Sequence, residues 1–320
     1  MTNKPLIVIP GDEPIQCKGS FHLTRLSEYG TIKLYENLPK TIDEQVERVK
    51  DATVIINSRS SVKWSKKTLV GLNKLKLIAL CAIGTDAIDL DFARTNGISV
   101  ANIPGKTAPI VAEHALGLMF AVAKRAYSQT ASILGGYWTG LDNIYLGNKT
   151  LGIIGTGNIG SEMINLAKVL GMNVIAWTRN PTKERGDRLG VRYVDMDTLL
   201  QLSDVVSIHV ALTPETFHLI GANELSRMKP GALIINVSRG SIIDQVALAK
   251  ALMDGRIGGA GLDVLEEEPP NVDDPILQCE NVVITPHVGD KTPEGTELLN
   301  EGVVDNVIAF LEGHPQNLVC

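Results

Sequence analysis

The sequence predicts an α/β protein with parallel sheets, because short apolar runs alternate along it with longer segments of helical pattern. Three runs in the first hundred residues predict buried strands: Leu6–Ile9, Thr53–Ile56 and Leu77–Leu80. A second α/β series begins at Thr150. The strands predicted in that series are Leu151–Ile154, Asn173–Trp177, Val205–Val210, Ala232–Val237 and Val282–Thr285.

Three segments between and after these strands have the pattern of helices. Thr41–Lys50 is a polar helical segment, Pro109–Arg125 predicts a buried or linking helix, and Thr292–Gly313 predicts a final helix. The segment Leu134–Leu146 is interpreted as a loop with exposed apolar side chains. These side chains are Tyr137, Trp138, Ile144 and Tyr145.

Length and composition narrow the classes of function. A chain of 320 residues predicts about two domains of roughly 150 residues each. The net charge of −6 argues against a nucleic-acid or anionic-membrane partner, because both require a basic surface. The four cysteines show no metal-binding spacing, so no metal is expected. Apolar runs are shorter than a signal sequence or a membrane span requires, and we expect a cytoplasmic protein.

A glycine-rich loop connects the first strand of the second series to a helix. The motif GxGxxG is formed by Gly155, Gly157 and Gly160, and an amphipathic helix begins near Asn158. Such a loop makes a tight turn and lets the backbone approach a pyrophosphate, which the N–H groups at the helix start then bind. Gly155, Gly157, Asn158, Ile159 and Gly160 are therefore predicted to bind a dinucleotide. The alternative is a purely structural turn.

The position about 20 residues further on distinguishes NAD from NADP. An NAD enzyme usually carries an acidic residue at the end of the second strand, but this chain has Thr178 and Arg179 there. A hydroxyl group and a guanidinium suit a 2′-phosphate. We therefore expect NADP(H) to be preferred over NAD(H). The alternative is that Arg179 stacks on the adenine or faces solvent.

Three further segments bring catalytic residue types to strand ends. Arg239 follows a predicted buried strand, Glu268 ends an acidic run, and His287 follows the last predicted strand. An arginine can hold a carboxylate and polarise a carbonyl, and a histidine can donate a proton to the carbonyl oxygen as hydride arrives at carbon. A nearby carboxylate favours the protonated imidazole. Taken singly, these residues are equally consistent with surface charges and a solvated loop.

Four ordered motifs together resemble the D-isomer-specific 2-hydroxyacid dehydrogenase family. They are the glycine loop, N-x-S-R-G at 236–240, D-V-x-x-x-E-P-P at 263–270 and T-P-H-V-G at 285–289. The resemblance extends from about Leu77 to the C-terminal helix. It implies a Rossmann dinucleotide-binding domain plus a smaller flavodoxin-like, doubly wound substrate domain. The implied domains are 1–101 with 288–320 for the substrate and 102–287 for the cofactor.

The resemblance also implies roles for individual residues. Arg239, Glu268 and His287 match the catalytic residues of the family, and Asp263 matches the aspartate near the nicotinamide carboxamide. The full set expected to contact the cofactor is Gly155, Gly157, Asn158, Ile159, Gly160, Thr178, Arg179, Leu212, Pro214, Thr216, Val237, Ser238, Arg239, Asp263, His287 and Gly289. The substrate is expected to contact Ala82, Ile83, Gly84, Arg239 and His287.

The substrate loop departs from the family pattern in two places. Ala82 replaces the first glycine of a G-x-G cradle whose backbone N–H groups bind the substrate carboxylate. Leu80 stands where phosphoglycerate dehydrogenase has an arginine, which argues against a phosphorylated substrate. No regulatory extension is expected after the last helix. The family further implies a homodimer with contacts through the Pro109 helix and the Tyr137–Tyr145 loop.

The predicted function is therefore a dehydrogenase that transfers hydride between a nicotinamide cofactor and a small 2-oxo or D-2-hydroxy acid, as a glyoxylate/hydroxypyruvate reductase does. One alternative within the same scaffold is a phosphoglycerate dehydrogenase or a dehydrogenase of another small anion. A second alternative is a cofactor-sensing protein like the co-repressors that share the fold. The presence of all three catalytic residue types argues against the second alternative.

Overall fold

A computed structural model describes residues 4–138 and 140–320. Its strands are β1 (Leu6–Ile9), β2 (Thr31–Leu34), β3 (Val54–Ser58), β4 (Leu77–Cys81), β5 (Ser99–Ala101), β6 (Thr150–Ile154), β7 (Asn173–Trp177), β8 (Arg192–Tyr193), β9 (Val205–Ile208), β10 (Ala232–Asn236), β11 (Ile257–Leu262) and β12 (Val282–Ile284). Its helices are α1 (Phe21–Leu26), α2 (Ile42–Val49), α3 (Lys66–Leu69), α4 (Leu90–Thr95), α5 (Ala108–Ala123), α6 (Ala126–Leu134), α7 (Asn158–Val169), α8 (Lys183–Leu189), α9 (Met196–Leu202), α10 (Ala222–Arg227), α11 (Gln245–Met253) and α12 (Pro293–Leu311).

The chain divides into two compact units. The first unit contains the described residues up to Thr107 together with Lys291–Cys320, and the second contains Ala108–Asp290. Within the part of the chain that the structure describes, none of the helices combines the length and the apolar character needed to cross a membrane.

The first unit is built on a five-stranded parallel sheet with the order β2-β1-β3-β4-β5. This is the flavodoxin-like strand order. Every residue of the central strands β3 and β4 is buried, as expected where helices cover both faces of a parallel sheet. The long helix α12 packs on β4 and α1 within this unit.

The second unit is built on a seven-stranded parallel sheet with the order β12-β11-β10-β9-β6-β7-β8. The strand order reverses between β6 and β9, as it does in a Rossmann fold, and β12 extends the sheet at one edge. Ligands of such sheets bind at the carboxyl ends of the strands near this reversal. The expected fold class, a Rossmann domain with a smaller flavodoxin-like domain, is confirmed.

Most predicted strands are present, with small shifts at their ends. The strand predicted over Val205–Val210 ends at Ile208, so His209 lies just after it. The glycine-rich strand β11 was not predicted, and the packing of α5 explains its composition. A Cβ at Gly259 would lie 2.6 Å from Val122 Cγ1, and one at Gly261 would lie 3.0 Å from Leu118 Cβ. Small residues here let α5 lie close to the sheet.

The segment after α6 is irregular, as predicted, but its side chains are not uniformly exposed. Trp138 is 90% exposed, and Tyr137 and Tyr145 are also largely exposed. Ile144, in contrast, is half-buried and packs against the core below α5, because its backbone N–H is bound to the carbonyl of Ala123 at 2.9 Å. The expectation of an exposed Ile144 is therefore wrong.

A buried carboxylate organises the turn after β1. Asp12 is fully buried and accepts hydrogen bonds from the Ser58 hydroxyl at 2.6 Å and from the backbone N–H groups of Gln16, Cys17 and Lys18. Among residues 4–138 and 140–320 these donors have no other acceptor, so the loop conformation depends on the carboxylate.

We expect Asp12→Ala to lower the free energy of unfolding by about 3 kcal/mol, because several buried donors lose their acceptor. Urea denaturation followed by circular dichroism measures this change. Asp91→Ala is the matched control: its side chain is 96% exposed and pairs only with Arg94 on the surface. Equal midpoints for the two variants would contradict the role given to Asp12.

Candidate active site

The glycine loop lies between β6 and α7, and its glycines are explained by close contacts. Gly155 has a φ of +97°, and a Cβ there would lie 2.7 Å from the carbonyl oxygen of His209. A Cβ on Gly160 would lie 2.0 Å from the carbonyl oxygen of Gly155. A Cβ on Gly157 would meet no atom within 4 Å, so this glycine leaves open space at the N-terminus of α7.

This arrangement fits a dinucleotide pyrophosphate. Asn158, Ile159 and Gly160 form the first turn of α7, where backbone N–H groups have no partner within the helix. The open space at Gly157 lets a phosphate approach those donors. His209, whose backbone lies against Gly155, is buried, and this burial lowers the pKa of its ring to about 3, so the ring is neutral at neutral pH. The residues present therefore fit the nicotinamide dinucleotide that the motif predicts.

Thr178 and Arg179 lie at the end of β7, as predicted, and line a cavity of about 630 Å³ together with Trp177. Arg179 is largely exposed, and its guanidinium lies 3.7 Å from a carboxylate oxygen of Glu215. Glu215 belongs to the segment after β9. A carboxylate beside the predicted phosphate-binding arginine was not anticipated from the sequence.

The segment predicted to contact the adenosine follows β9. Leu212 is half-buried against the core, whereas Pro214 is exposed. The Thr216 hydroxyl accepts from the Thr213 N–H at 2.7 Å and donates to the Ala211 carbonyl at 2.7 Å. Thr216 therefore fixes the shape of this turn through bonds within it.

The structure brings the predicted histidine and glutamate together. His287 Nδ1 and Glu268 Oε2 lie 2.8 Å apart, and the other carboxylate oxygen of Glu268 accepts from the Leu265 N–H at 3.0 Å. Burial alone would raise the pKa of Glu268, but the hydrogen bond and charge of His287 outweigh it and hold the pKa below its usual range. The carboxylate is therefore ionised at neutral pH, and Nε2 is the ring nitrogen of His287 available for proton transfer.

Arg239 follows β10 and is half-buried. The turn that carries it is fixed by hydrogen bonds: Asn236 Nδ2 donates to the Arg239 carbonyl at 2.9 Å, and the Ser238 hydroxyl donates to the Ile208 carbonyl at 3.0 Å. The positive charge of Arg239 contributes to the low pKa of Glu268, which places both residues in one electrostatic neighbourhood.

Gly240 was not singled out in the sequence, yet it joins these segments. A Cβ at Gly240 would lie 1.9 Å from the carbonyl carbon of Leu265 and 2.3 Å from the Glu266 nitrogen. The backbone that carries Arg239 therefore touches the backbone that leads to Glu268. The glycine that follows the arginine in the N-x-S-R-G motif was the sequence signal for this contact. Its spacing in the sequence does not show which backbone segment it meets.

Asp263 is almost completely buried and holds the loop that carries His287. Its carboxylate accepts from the Thr285 hydroxyl at 2.6 Å and from the backbone N–H groups of Val288 and Gly289 at 2.9 and 2.8 Å. His114 Nε2 of α5 lies 3.2 Å from the same carboxylate. Burial opposes ionisation, but these hydrogen bonds keep the pKa of Asp263 below its usual range.

Val237 is buried directly after β10 and is the first of three consecutive residues there, Val237 to Arg239, that were predicted to contact the cofactor. A Cβ at Gly289 would lie 2.9 Å from Asp263 Oδ2. Gly289 is thus required by the close approach of the Asp263 carboxylate. His114 is a further residue that sequence reasoning missed, because nothing in the helical pattern of α5 marks which side chain meets β11 and β12.

The predicted substrate loop lies in the first unit, after β4. The Ala82 carbonyl accepts from the Ile103 N–H at 3.0 Å, and the Ile83 carbonyl accepts from Asn102 Nδ2 at 2.7 Å. The backbone N–H groups of Ile83 and Gly84 donate to no acceptor within residues 4–138 and 140–320. Ala82 therefore does not prevent the loop from presenting N–H groups.

The described residues contain no cluster of three or more metal-ligating side chains. What they do contain, at the carboxyl edge of one Rossmann sheet, is a dinucleotide loop and an ordered arginine, glutamate and histidine. Fold and site together define the second unit as that of a nicotinamide-dependent dehydrogenase.

Comparison with known proteins specifies the family. Residues 116–289 match the profile of the D-isomer specific 2-hydroxyacid dehydrogenase NAD binding domain. The chain is 42% identical over 284 residues to a glyoxylate reductase of Thermococcus litoralis, covering 86% of this chain and 85% of that protein. It belongs to the D-isomer-specific 2-hydroxyacid dehydrogenase family, and it is an oxidoreductase that acts on the CH–OH group of small 2-hydroxy acids with a nicotinamide cofactor.

Two further comparisons show the breadth of the family. A D-3-phosphoglycerate dehydrogenase of Methanocaldococcus jannaschii is 39% identical over 291 residues, which are 90% of this chain and 55% of that protein. The crystal structure of a glyoxylate reductase from Paecilomyes thermophila superposes with a TM-score of 0.90 at 31% identity, covering 100% of this chain and 99% of that one.

We expect Gly240→Ala to lower kcat/KM about 100-fold, because its methyl group must push the Arg239 turn away from Leu265 and displace catalytic groups by about 1 Å. Steady-state kinetics with circular dichroism to verify folding measures this effect. Gly140→Ala is the control, since a Cβ there meets no atom within 4 Å. Unchanged kinetics in folded Gly240→Ala would show that the contact does not position the site.

Proposed function

We propose that this enzyme reduces a small, unphosphorylated 2-oxo acid such as glyoxylate or hydroxypyruvate, preferentially with NADPH. The observation that carries the proposal is the hydrogen-bonded pair of His287 and Glu268, 2.8 Å apart, in the electrostatic neighbourhood of Arg239. The match to glyoxylate reductases over most of both chains supports the choice of substrate.

The proposed mechanism assigns one task to each residue. The Arg239 guanidinium binds the substrate carboxylate through paired hydrogen bonds and polarises the adjacent carbonyl. His287 donates a proton from Nε2 to the carbonyl oxygen, and Glu268 stabilises the imidazolium before that transfer. A bound nicotinamide supplies the hydride for the carbonyl carbon. Ile83 and Gly84 are proposed to donate backbone N–H groups to the substrate carboxylate, in place of a G-x-G cradle.

The remaining predicted contacts are proposed to hold the cofactor. Gly155, Gly157, Asn158, Ile159 and Gly160 would bind the pyrophosphate, and Thr178 with Arg179 would bind the 2′-phosphate. The residues proposed along the adenosine and nicotinamide are Leu212, Pro214, Thr216, Val237, Ser238, Asp263 and Gly289. Because the Asp263 carboxylate already accepts from two backbone N–H groups and a hydroxyl, we assign it chiefly to positioning the His287 loop.

Two other candidate substrates or functions have less support. The argument against a phosphorylated substrate is confined to position 80, where the apolar and fully buried Leu80 cannot bind a phosphate. A cofactor-sensing role without turnover would not require the hydrogen-bonded pair of His287 and Glu268.

We also propose a cytoplasmic homodimer. The side chains of Tyr137, Trp138 and Tyr145 in the second unit are largely exposed, and exposed aromatic side chains are typical of surfaces that protein contacts cover. Thr139 within this segment lies outside the described residues. Light scattering of the purified protein tests the dimer, and a monomeric mass at micromolar concentration would rule it out.

The substrate and coenzyme assignments are tested by one kinetic matrix. Glyoxylate, hydroxypyruvate, pyruvate and 3-phosphohydroxypyruvate are each assayed with NADPH and with NADH by absorbance. We expect the highest kcat/KM for glyoxylate or hydroxypyruvate with NADPH. A preference for NADH would overturn the coenzyme assignment, and a preference for the phosphorylated acid would overturn the substrate assignment.

The catalytic pair is tested by two near-isosteric substitutions. His287→Gln should lower kcat by about 10²–10⁴-fold while leaving coenzyme binding intact, because only proton transfer is lost. Glu268→Gln removes the charge that favours imidazolium. Its rate of reduction should therefore be lower than that of the wild type, and its pH profile should lack the acid-side decline that protonation of Glu268 causes.

The acid side of the profile follows from Glu268 itself. Because its pKa is held low in the folded protein, the carboxylate stays charged as the pH falls through the usual glutamate range, and its contribution is lost only below that range. A fully active His287→Gln variant, or superimposable pH profiles for wild type and Glu268→Gln, would refute these roles.

A further inference from the structure

One cation near the dinucleotide loop has no part in the function described so far. Arg185 lies in α8, which begins shortly after the end of β7. Its guanidinium Nη2 donates a hydrogen bond to the carbonyl oxygen of Thr156, the residue between Gly155 and Gly157. The side chain therefore connects the helix after the second strand to the loop after the first strand.

The charge of Arg185 is not balanced by the protein. In the part of the chain that the structure describes, no carboxylate oxygen lies within ion-pair distance of its guanidinium, although Lys183 on the same helix pairs with Asp187 at 2.6 Å. The Arg185 Nε is also buried and donates to no acceptor among the described residues. A half-buried guanidinium without a carboxylate partner can bind an anion through charge-assisted hydrogen bonds.

The point to which Arg185 is anchored is itself fixed. Thr156 is 1% exposed, and its hydroxyl lies 2.9 Å from the hydroxyl of Tyr193. Its carbonyl also accepts from the Ser161 hydroxyl at 3.2 Å. The guanidinium is therefore held in place beside the loop before any ligand arrives, which reduces the entropy lost on binding.

Arg179, the arginine at the end of β7, has a different environment. Arg179 is 69% exposed and lies 3.7 Å from the Glu215 carboxylate, which attracts its guanidinium and repels a phosphate. Arg185 has no such competitor. The two arginines flank the stretch from the end of β7 to the glycine loop, where the adenosine ribose of a dinucleotide lies in this fold.

We propose that Arg185 binds the ribose 2′-phosphate of NADP(H) and contributes more to coenzyme discrimination than Arg179. This proposal rests on the proposed nicotinamide site, but it concerns the 2′-phosphate rather than the overall preference for one coenzyme. An arginine that contacted the pyrophosphate would strengthen the binding of NADH and of NADPH by similar factors. An arginine that only tethers α8 to the loop would act through stability.

The experiment compares binding of four ligands to Arg185→Met, which keeps side-chain length but removes the charge. Dissociation constants for 2′,5′-ADP, 5′-AMP, NADPH and NADH are measured by calorimetry on the intact protein without substrate. The ligands 2′,5′-ADP and NADPH should bind about 10–100-fold more weakly, as expected for the loss of a charge-assisted hydrogen bond. The ligands 5′-AMP and NADH should bind within about 2-fold of the wild type, because they lack the 2′-phosphate that Arg185 is proposed to contact.

Arg188→Met is the matched control, because Arg188 is an exposed residue of the same helix. It should leave all four affinities unchanged. Equal weakening of all four ligands by Arg185→Met would overturn the 2′-phosphate assignment, and so would four unchanged affinities. A fall in Tm with no selective loss of 2′-phosphate ligands would show that Arg185 is only a structural tether.

The outcomes separate this proposal from the proposed coenzyme preference. If the wild type favours NADH in turnover while Arg185→Met still loses 2′,5′-ADP selectively, the preference fails and the Arg185 assignment stands. If the wild type favours NADPH while Arg185→Met binds all four ligands normally, the Arg185 assignment alone fails.

Discussion

The position of His287, the proposed proton donor, depends on one buried carboxylate. Asp263 accepts two backbone N–H groups of the His287 loop and the hydroxyl of Thr285, and its own carbonyl accepts from the His287 N–H at 2.8 Å. A buried charge of this kind is stable only when hydrogen bonds surround it. The loop is therefore restricted to conformations that satisfy Asp263. His287 has a φ of +54°, a conformation unusual for a non-glycine residue, which such a network can maintain.

The parallel sheet makes this network useful. Because β10, β11 and β12 run in the same direction, the segments that follow them begin at one edge of the sheet, and each segment carries one of the three proposed catalytic side chains. The close contact of Gly240 with Leu265 then sets the separation of the first two segments. The Asp263 carboxylate fixes the third segment, which carries His287, by accepting hydrogen bonds from the Val288 and Gly289 N–H groups. Backbone contacts thus position the segments that carry Arg239, Glu268 and His287.

The sequence was sufficient for the features that repeat along the chain. Strand periodicity indicated the fold class, and ordered motifs drew attention to Glu268 and His287, which the structure brings within hydrogen-bond distance. It was not sufficient for features that depend on approach between distant segments. The close packing of α5 against β11 requires Gly259 and Gly261. A segment so rich in glycine does not resemble a strand when its sequence is considered alone. Similarly, the position of His114 beside Asp263 follows from helix packing, and helical spacing does not specify a partner.

The electrostatics of the predicted coenzyme site likewise could not be derived from the sequence alone. A short motif locates Thr178 and Arg179 by their distance along the chain, but the strength of a cation toward phosphate depends on the charges around it. Glu215 follows another strand and lies 3.7 Å from Arg179, whereas Arg185, which no motif marks, has no carboxylate within ion-pair distance among the described residues and bonds to the loop. Because Coulomb interactions follow spatial separation, the residue next to the motif need not be the one that governs discrimination. On the proposal made for Arg185, the coenzyme selectivity of this site depends on the folded arrangement of Arg179, Glu215 and Arg185.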